Sequence, residues 1–179
     1  ADSAACGEIV YEIIQHLTAL TADIALPLYV AVSTDCGGFQ YGNTTARTHR
    51  IAAALMDVVD VAAVNKTLFR TKSRVRLAME SRMVADMKLF DHQRVVVMEI
   101  PLSLRQEMQA TDADIEELSA LPALVEGTDC GVTLRELRPG TVKVSVRTGP
   151  RVDACALCRI LGGGGHHAAS GATVEGTLD

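Results

Sequence analysis

Residues 162 to 166 of this 179-residue chain read Gly-Gly-Gly-Gly-His, with a second histidine next, and this is its most unusual local feature. Glycines let the backbone take positive φ and approach a ligand closely, and consecutive N–H groups in such a turn form an anion-binding nest. An imidazole beside it donates a hydrogen bond to a phosphoryl oxygen whether neutral or protonated. The chemistry offered is therefore phosphate binding; a helix-ending loop with solvated histidines reads the same residues without function. Arg147, on a stretch ending Ser-Val-Arg-Thr, carries the planar fork that pairs with phosphate, although an exposed strand arginine fits it equally. Cys155 and Cys158 with His166 and His167 offer four zinc donors. The cysteines, however, sit three apart in an apolar helical run, which favours packing. Asp35, in STDCGGFQYGNTT, is a hard oxygen donor suited to Mn²⁺ or Mg²⁺, or simply a turn residue before glycines. Asn43, Thr44 and Thr45 read as caps.

These residues need elements to position them. Residues 4 to 20 place Ile9, Ile13, Leu17 and Leu20 at three- and four-residue steps and predict an amphipathic helix. The run from Pro27 through Asp35, with Leu28 to Val32 continuously apolar, predicts a strand buried on both faces that delivers Asp35 at its carboxyl end, where ligands gather in parallel sheets. Residues 45 to 59 and 61 to 70 predict two helices, and Ser73 to Phe90 a third. Beyond, 94 to 100 reads as a strand, 103 to 108 and 112 to 121 as helices, and 130 to 137 and 141 to 148 as paired strands joined by a turn at 138 to 140. A short helix from Val152 stops at Gly162. The organisation expected is a first lobe over 1–71, a connector helix over 72–91 and a smaller α+β lobe over 92–179.

Composition narrows the function classes. A formal charge of −5 and a pI near 5.5 leave no basic track for long nucleic acid. No segment of about 20 apolar residues is present to span a membrane. Apolar residues make up 48% of the chain and aromatics 3%, so the core is built from Ala, Val, Leu, Ile and Met. Five scattered cysteines fit reduced thiols, and the compartment expected is the cytoplasm.

Taken together, the motifs resemble the DHH family of phosphoesterases, in the branch of oligoribonucleases and phosphoadenosine-phosphate phosphatases. GGGGHHAASG is similar to the family's GGGH-x-x-A-A-G, with Ser170 where the second alanine is usual. STDCGGFQYGNTT resembles its fourth metal motif, with Cys36 where Thr is common, and KVSVRT resembles the strand preceding the glycine loop. AACGEIVYEI looks like the segment that follows the family's naming motif.

The resemblance implies an α/β fold: the C-terminal part of a parallel-sheet DHH domain, joined by a helical connector to a smaller α+β domain. It implies that Asp35 is a metal ligand and catalytic, that Arg147, Gly163, Gly164, Gly165 and His166 contact the substrate phosphate, and that His166 also serves catalysis. It further implies Mn²⁺ as cofactor, with Mg²⁺ as the alternative, and two-metal activation of water. Short RNA, linear dinucleotides or 3′-phosphoadenosine 5′-phosphate are the substrates expected, and a homodimer is a further expectation. The family's first three metal motifs would lie upstream of Ala1, and no Asp-His-His occurs in the chain, so the chain is expected to be incomplete and inactive alone. Two other readings use the same motifs. One is a nucleic-acid-binding module like that appended to alanyl-tRNA synthetases, and the other is a non-catalytic nucleotide sensor.

Overall fold

A computed structural model describes residues 3–178. The chain forms two compact units that divide between Thr71 and Lys72.

Every regular element among the first unit's described residues is helical: α1 (Cys6–Leu17), α2 (Ala22–Asp35), α3 (Ala46–Met56), α4 (Val61–Asn65) and a π-helical turn over Lys66–Arg70. The run from Leu28 to Val32 lies inside α2 and is not the strand its composition suggests. The reason is periodicity: Ala25, Leu28, Tyr29, Val32 and Ser33 are the buried positions, a helical stripe of steps three and four. Packing that stripe against Tyr11, Ile51 and Leu55 outweighs both the β-branched composition and Pro27, which removes one backbone donor within the helix. Thr45 opens α3 through a reciprocal cap with Thr48. Thr48 also donates its hydroxyl proton to the fully buried Glu8, at 2.6 Å.

The second unit is an α+β sandwich around a six-stranded sheet of order β1-β2-β3-β4-β6-β5. Its strands are β1 (Lys88–Phe90), β2 (Val95–Ile100), β3 (Cys130–Arg138), β4 (Thr141–Thr148), β5 (Gly164–His166) and β6 (Ala169–Glu175). Only β2 and β3 run parallel, so a crossover must connect them. It consists of α6 (Leu102–Glu107), α7 (Asp112–Ile115) and a 3₁₀ segment over Glu116–Leu124. Gly131 lets the 3₁₀ segment lie on β3, since a Cβ there would meet the Ala123 nitrogen at 2.5 Å.

One sheet face packs Val144, Val146 and Ala172 against Ala154 and Cys158 of α8 (Ala154–Ile160). On the other face Val96, Met98 and Ile100 of β2 pack under the crossover and under α5 (Arg74–Ala85), whose Met79 and Met83 are buried there. The helix expected over 73–90 therefore ends at Ala85, its last residues form β1, and its apolar side belongs to the second unit's core.

The glycine run is a strand, not the free loop or nest its composition suggests. Gly162 (φ 74°) ends α8: its N–H donates to the Arg159 carbonyl and that of Gly163 to the Cys158 carbonyl, at 3.0 and 2.8 Å, the five-to-two and six-to-one pair of a Schellman cap. Gly164 to His166 then pair with β6 as an edge strand.

Candidate functional site

Strand register determines what stands beside what. On β4, Val142, Val144 and Val146 are buried, so Lys143, Ser145 and Arg147 alternate to the opposite face. Cross-strand partners share a face, which gives three rows. Gly131, Arg147, Ala169 and His166 form the first; Thr133, Ser145, Gly171 and Gly164 the second; Arg135, Lys143 and Thr173 the third. This face is apolar on β2 and turns polar and cationic from β3 onward. There it forms the floor of a cleft of about 600 Å³, walled by Asp112, Glu116 and Ser119 of the crossover.

Among the sequence-predicted residues, Arg147, Gly164 and Gly165 line this cleft. His166 is exposed and shares a row and a face with Arg147, separated only by Ala169. Two interstrand steps set their Cα atoms about 10 Å apart. The glycines divide by face. A Cβ on Gly163 would lie 2.2 Å from the Gly171 carbonyl oxygen and 2.6 Å from the Ala172 Cβ, and one on Gly165 would lie 2.7 Å from the Ala169 oxygen. Both positions therefore press β5 closely onto β6. A Cβ on Gly164 would meet nothing within 4 Å, because that position faces the cleft. As an edge strand, β5 leaves one row of peptide groups unpaired, so backbone donors are available without a nest.

Charge in the cleft is only partly compensated. Among the described residues Lys143 and Arg147 have no carboxylate partner; Arg147 donates only to the Val146 carbonyl, at 3.1 Å. Arg135 pairs with Asp112 at 2.7 Å, while its buried Nε has no partner. His167, offered above only as a zinc donor, serves through its backbone. Its carbonyl accepts from the Ala154 N–H at 2.8 Å and from the Thr148 hydroxyl at 3.2 Å, tying the β5–β6 turn to α8 and β4. Arg135 and Lys143 are the cleft residues that the sequence reading missed. Their signal was the alternation in TVKVSVRT, which puts Lys143 on the face of Arg147.

The zinc arrangement is absent: Cys158 is wholly buried in the α8 core, and among the described residues no group of three or more potential ligands is gathered. Burial pushes the Cys130 thiol above its usual range, and Cys158 and Asp129 add to the effect.

Asp35 belongs to the first unit. It is the last residue of α2, with an exposed side chain, rather than the end of a strand. The turn behind it is unusual, since Gly37, Gly38 and Phe39 all have positive φ. Glycine is favoured at 37, where φ is 55°, a backbone conformation that L side chains rarely adopt. Asn43 donates its amide to the carbonyls of Asp35 and Ala4, at 3.1 and 3.0 Å, so the NTT segment pins the turn and frees the Asp35 carboxylate. One carboxylate does not make a divalent-metal site, which draws on several oxygen or nitrogen donors. Among the described residues no donor set for the expected Mn²⁺ is gathered around Asp35.

No protein-family model matches the chain. The bifunctional oligoribonuclease and PAP phosphatase NrnA of Thermus thermophilus is 34% identical over 176 residues, which make up 97% of this chain and 52% of that protein. Among solved structures, an exopolyphosphatase-related protein from Bacteroides fragilis superimposes with a TM-score of 0.90 at 21% identity, over 99% of this chain and 53% of that one. The fold is therefore shared, and the chain spans about half the length of both relatives. The glycine–histidine hairpin, the Asp35 turn and an alignment running through nearly every residue here point the same way: over its length the chain is similar to about half of a DHH-family oligoribonuclease and PAP phosphatase.

Proposed function

We propose that this chain carries the phosphate-gripping part of a metal-dependent phosphoesterase that hydrolyses short oligoribonucleotides, linear dinucleotides or 3′-phosphoadenosine 5′-phosphate. One observation carries the reading: the sheet face that is apolar and helix-covered on β2 becomes a cleft floored by Arg147, Lys143 and small residues on β4, β6 and β5. A protein face that bears unpaired cations over glycines and alanines suits a flat, anionic ligand better than a packed helix.

In this proposal Arg147 neutralises a phosphoryl oxygen, His166 donates a hydrogen bond from the far end of the same row, and the edge amides of Gly164 and Gly165 fix orientation. Asp35 contributes one carboxylate to a Mn²⁺ site, with Mg²⁺ as the alternative; bound metal would supply the activated water. Short ligands fit an acidic chain without a basic track, and the cytoplasm is the compartment proposed. No described helix is long and apolar enough to cross a membrane.

Titration calorimetry of the chain with 3′-phosphoadenosine 5′-phosphate and with a linear dinucleotide tests the proposal. Binding is expected, and Arg147→Ala should weaken it by about 1.5–3 kcal/mol, the worth of a hydrogen bond to a charged group. A wild-type chain that binds neither ligand would defeat the reading.

A further inference from the structure

Arg135 and Lys143 stand opposite each other on β3 and β4, in the row of the cleft farthest from Arg147. Four residue steps along the strand take Lys143 to Arg147, about 13 Å between Cα atoms, and the small second row lies between them. Lys143 is unpaired among the described residues. The Arg135 guanidinium is half satisfied: it donates to Asp112 Oδ1 at 2.7 Å, and its buried Nε has no partner. The Asp112 side chain is 76% exposed, and it also accepts from Arg105 at 3.0 Å. A carboxylate held by two arginines at the wall of a cationic cleft occupies the place that an incoming oxyanion would take.

We infer that Arg135 and Lys143 form a second anion subsite, which takes the second phosphate of a ligand bearing two, and that Asp112 fills this subsite until the ligand displaces it. The inference rests on the phosphate-binding reading of the cleft and adds to it a residue-level basis for choosing doubly over singly phosphorylated ligands. The geometry suits it: a nucleoside with a phosphate on each side of its sugar, or a dinucleotide, bridges the two rows when the arginine and lysine stems reach inward. Asp112 sets a threshold, because only a ligand that offers Arg135 a stronger acceptor than a carboxylate displaces it. Glu116, also at the wall, adds repulsion that a poorly placed anion would not overcome.

Calorimetric titration of the full chain in EDTA, with adenosine 5′-phosphate and with 3′-phosphoadenosine 5′-phosphate, provides the test. Lys143→Ala, at an exposed strand position, should weaken the bisphosphate about tenfold and leave the monophosphate within twofold. Asp112→Asn should tighten the bisphosphate severalfold, again with little change for the monophosphate. Equal losses on both ligands in Lys143→Ala, or no loss on either, would overturn the subsite while leaving the cleft reading intact. Unchanged or weaker bisphosphate binding in Asp112→Asn, with the circular dichroism spectrum preserved, would overturn the displacement. If the wild-type chain binds neither ligand, the cleft reading itself falls, and the subsite with it.

Discussion

Two neighbouring glycines should respond to the same substitution in opposite ways. At Gly163 an added methyl would sit 2.2 Å from the Gly171 carbonyl oxygen and 2.6–2.7 Å from Cβ and Cα of Ala172. Ordinary contacts there exceed 3 Å, and the obstacles are mostly backbone of β6, so β5 must move by about 1 Å or detach. Overpacking costs about 1–3 kcal/mol, and the rigidity of a paired strand puts Gly163→Ala toward the upper end. For a unit of this size that lowers the melting temperature by about 10 °C or more. At Gly164 nothing lies within 4 Å of the same methyl and φ lies outside the left-handed region, so Gly164→Ala should leave stability within about 0.5 kcal/mol. That methyl, however, stands on the cleft floor in the row between Arg147 and Lys143. Keeping a phosphate off the strand should forfeit about one charged hydrogen bond, a tenfold loss or more. Thermal melts followed by circular dichroism, paired with nucleotide titrations, separate the two effects. Equal melting points for wild type and Gly163→Ala, or an unstable Gly164→Ala, would refute the assignment of faces from which the cleft is built.

Under the proposed function, His166→Ala should cost about 2–4 kcal/mol of transition-state binding, the scale of a lost preorganised donor; unchanged turnover and affinity would remove His166 from the site. Asp35→Asn should reduce hydrolysis across a Mn²⁺ titration without disturbing the helical spectrum, because the turn behind it is held by backbone and by Asn43. Stability should fall in acid. The Ala156 N–H holds the Asp153 carboxyl below the usual range, Ser73 does the same for Asp114, and for Glu80 the donors Lys72 and Arg76 outweigh the opposing effect of burial. Each contribution is present above the unfolded value, about 4, and is lost as pH falls through the lower folded values; melts flat between pH 5 and 2 would contradict this. At neutral pH a thiol reagent should modify the exposed Cys6 first and leave buried Cys36, Cys130 and Cys158 until unfolding, which mass spectrometry of partly labelled protein would check.

The second unit was the more legible in the sequence. Its strands announce themselves by alternation, as in TVKVSVRT, and Ser73, Thr111 and Asp153 accept the capping bonds of their helices. Leu28 to Val32 misled because a short continuous apolar run has no period of its own. Only contact with Tyr11, Ile51 and Leu55 decides for helix, and those residues are remote in sequence. The hairpin of Gly164 to Glu175 was hidden for a different reason. Glycines have no strand propensity, and β5 exists because β6 and the Schellman cap at Gly162 hold it from both sides. Arg147 and His166 were legible as residue types, but their common row was not, since it depends on the register of three strands.

The glycine run has a consequence for length rather than composition. Sequences of identical residues are commonly treated as spacers that tolerate a loss or gain of one. Here odd and even positions have separate duties, Gly163 and Gly165 toward β6 and the α8 layer, Gly164 and His166 toward the open side. A single deletion between the helix end and the histidine would invert that order and send the imidazole into the packed layer. The number of glycines, more than their presence, is what a homologous loop or a designed graft of this hairpin must preserve.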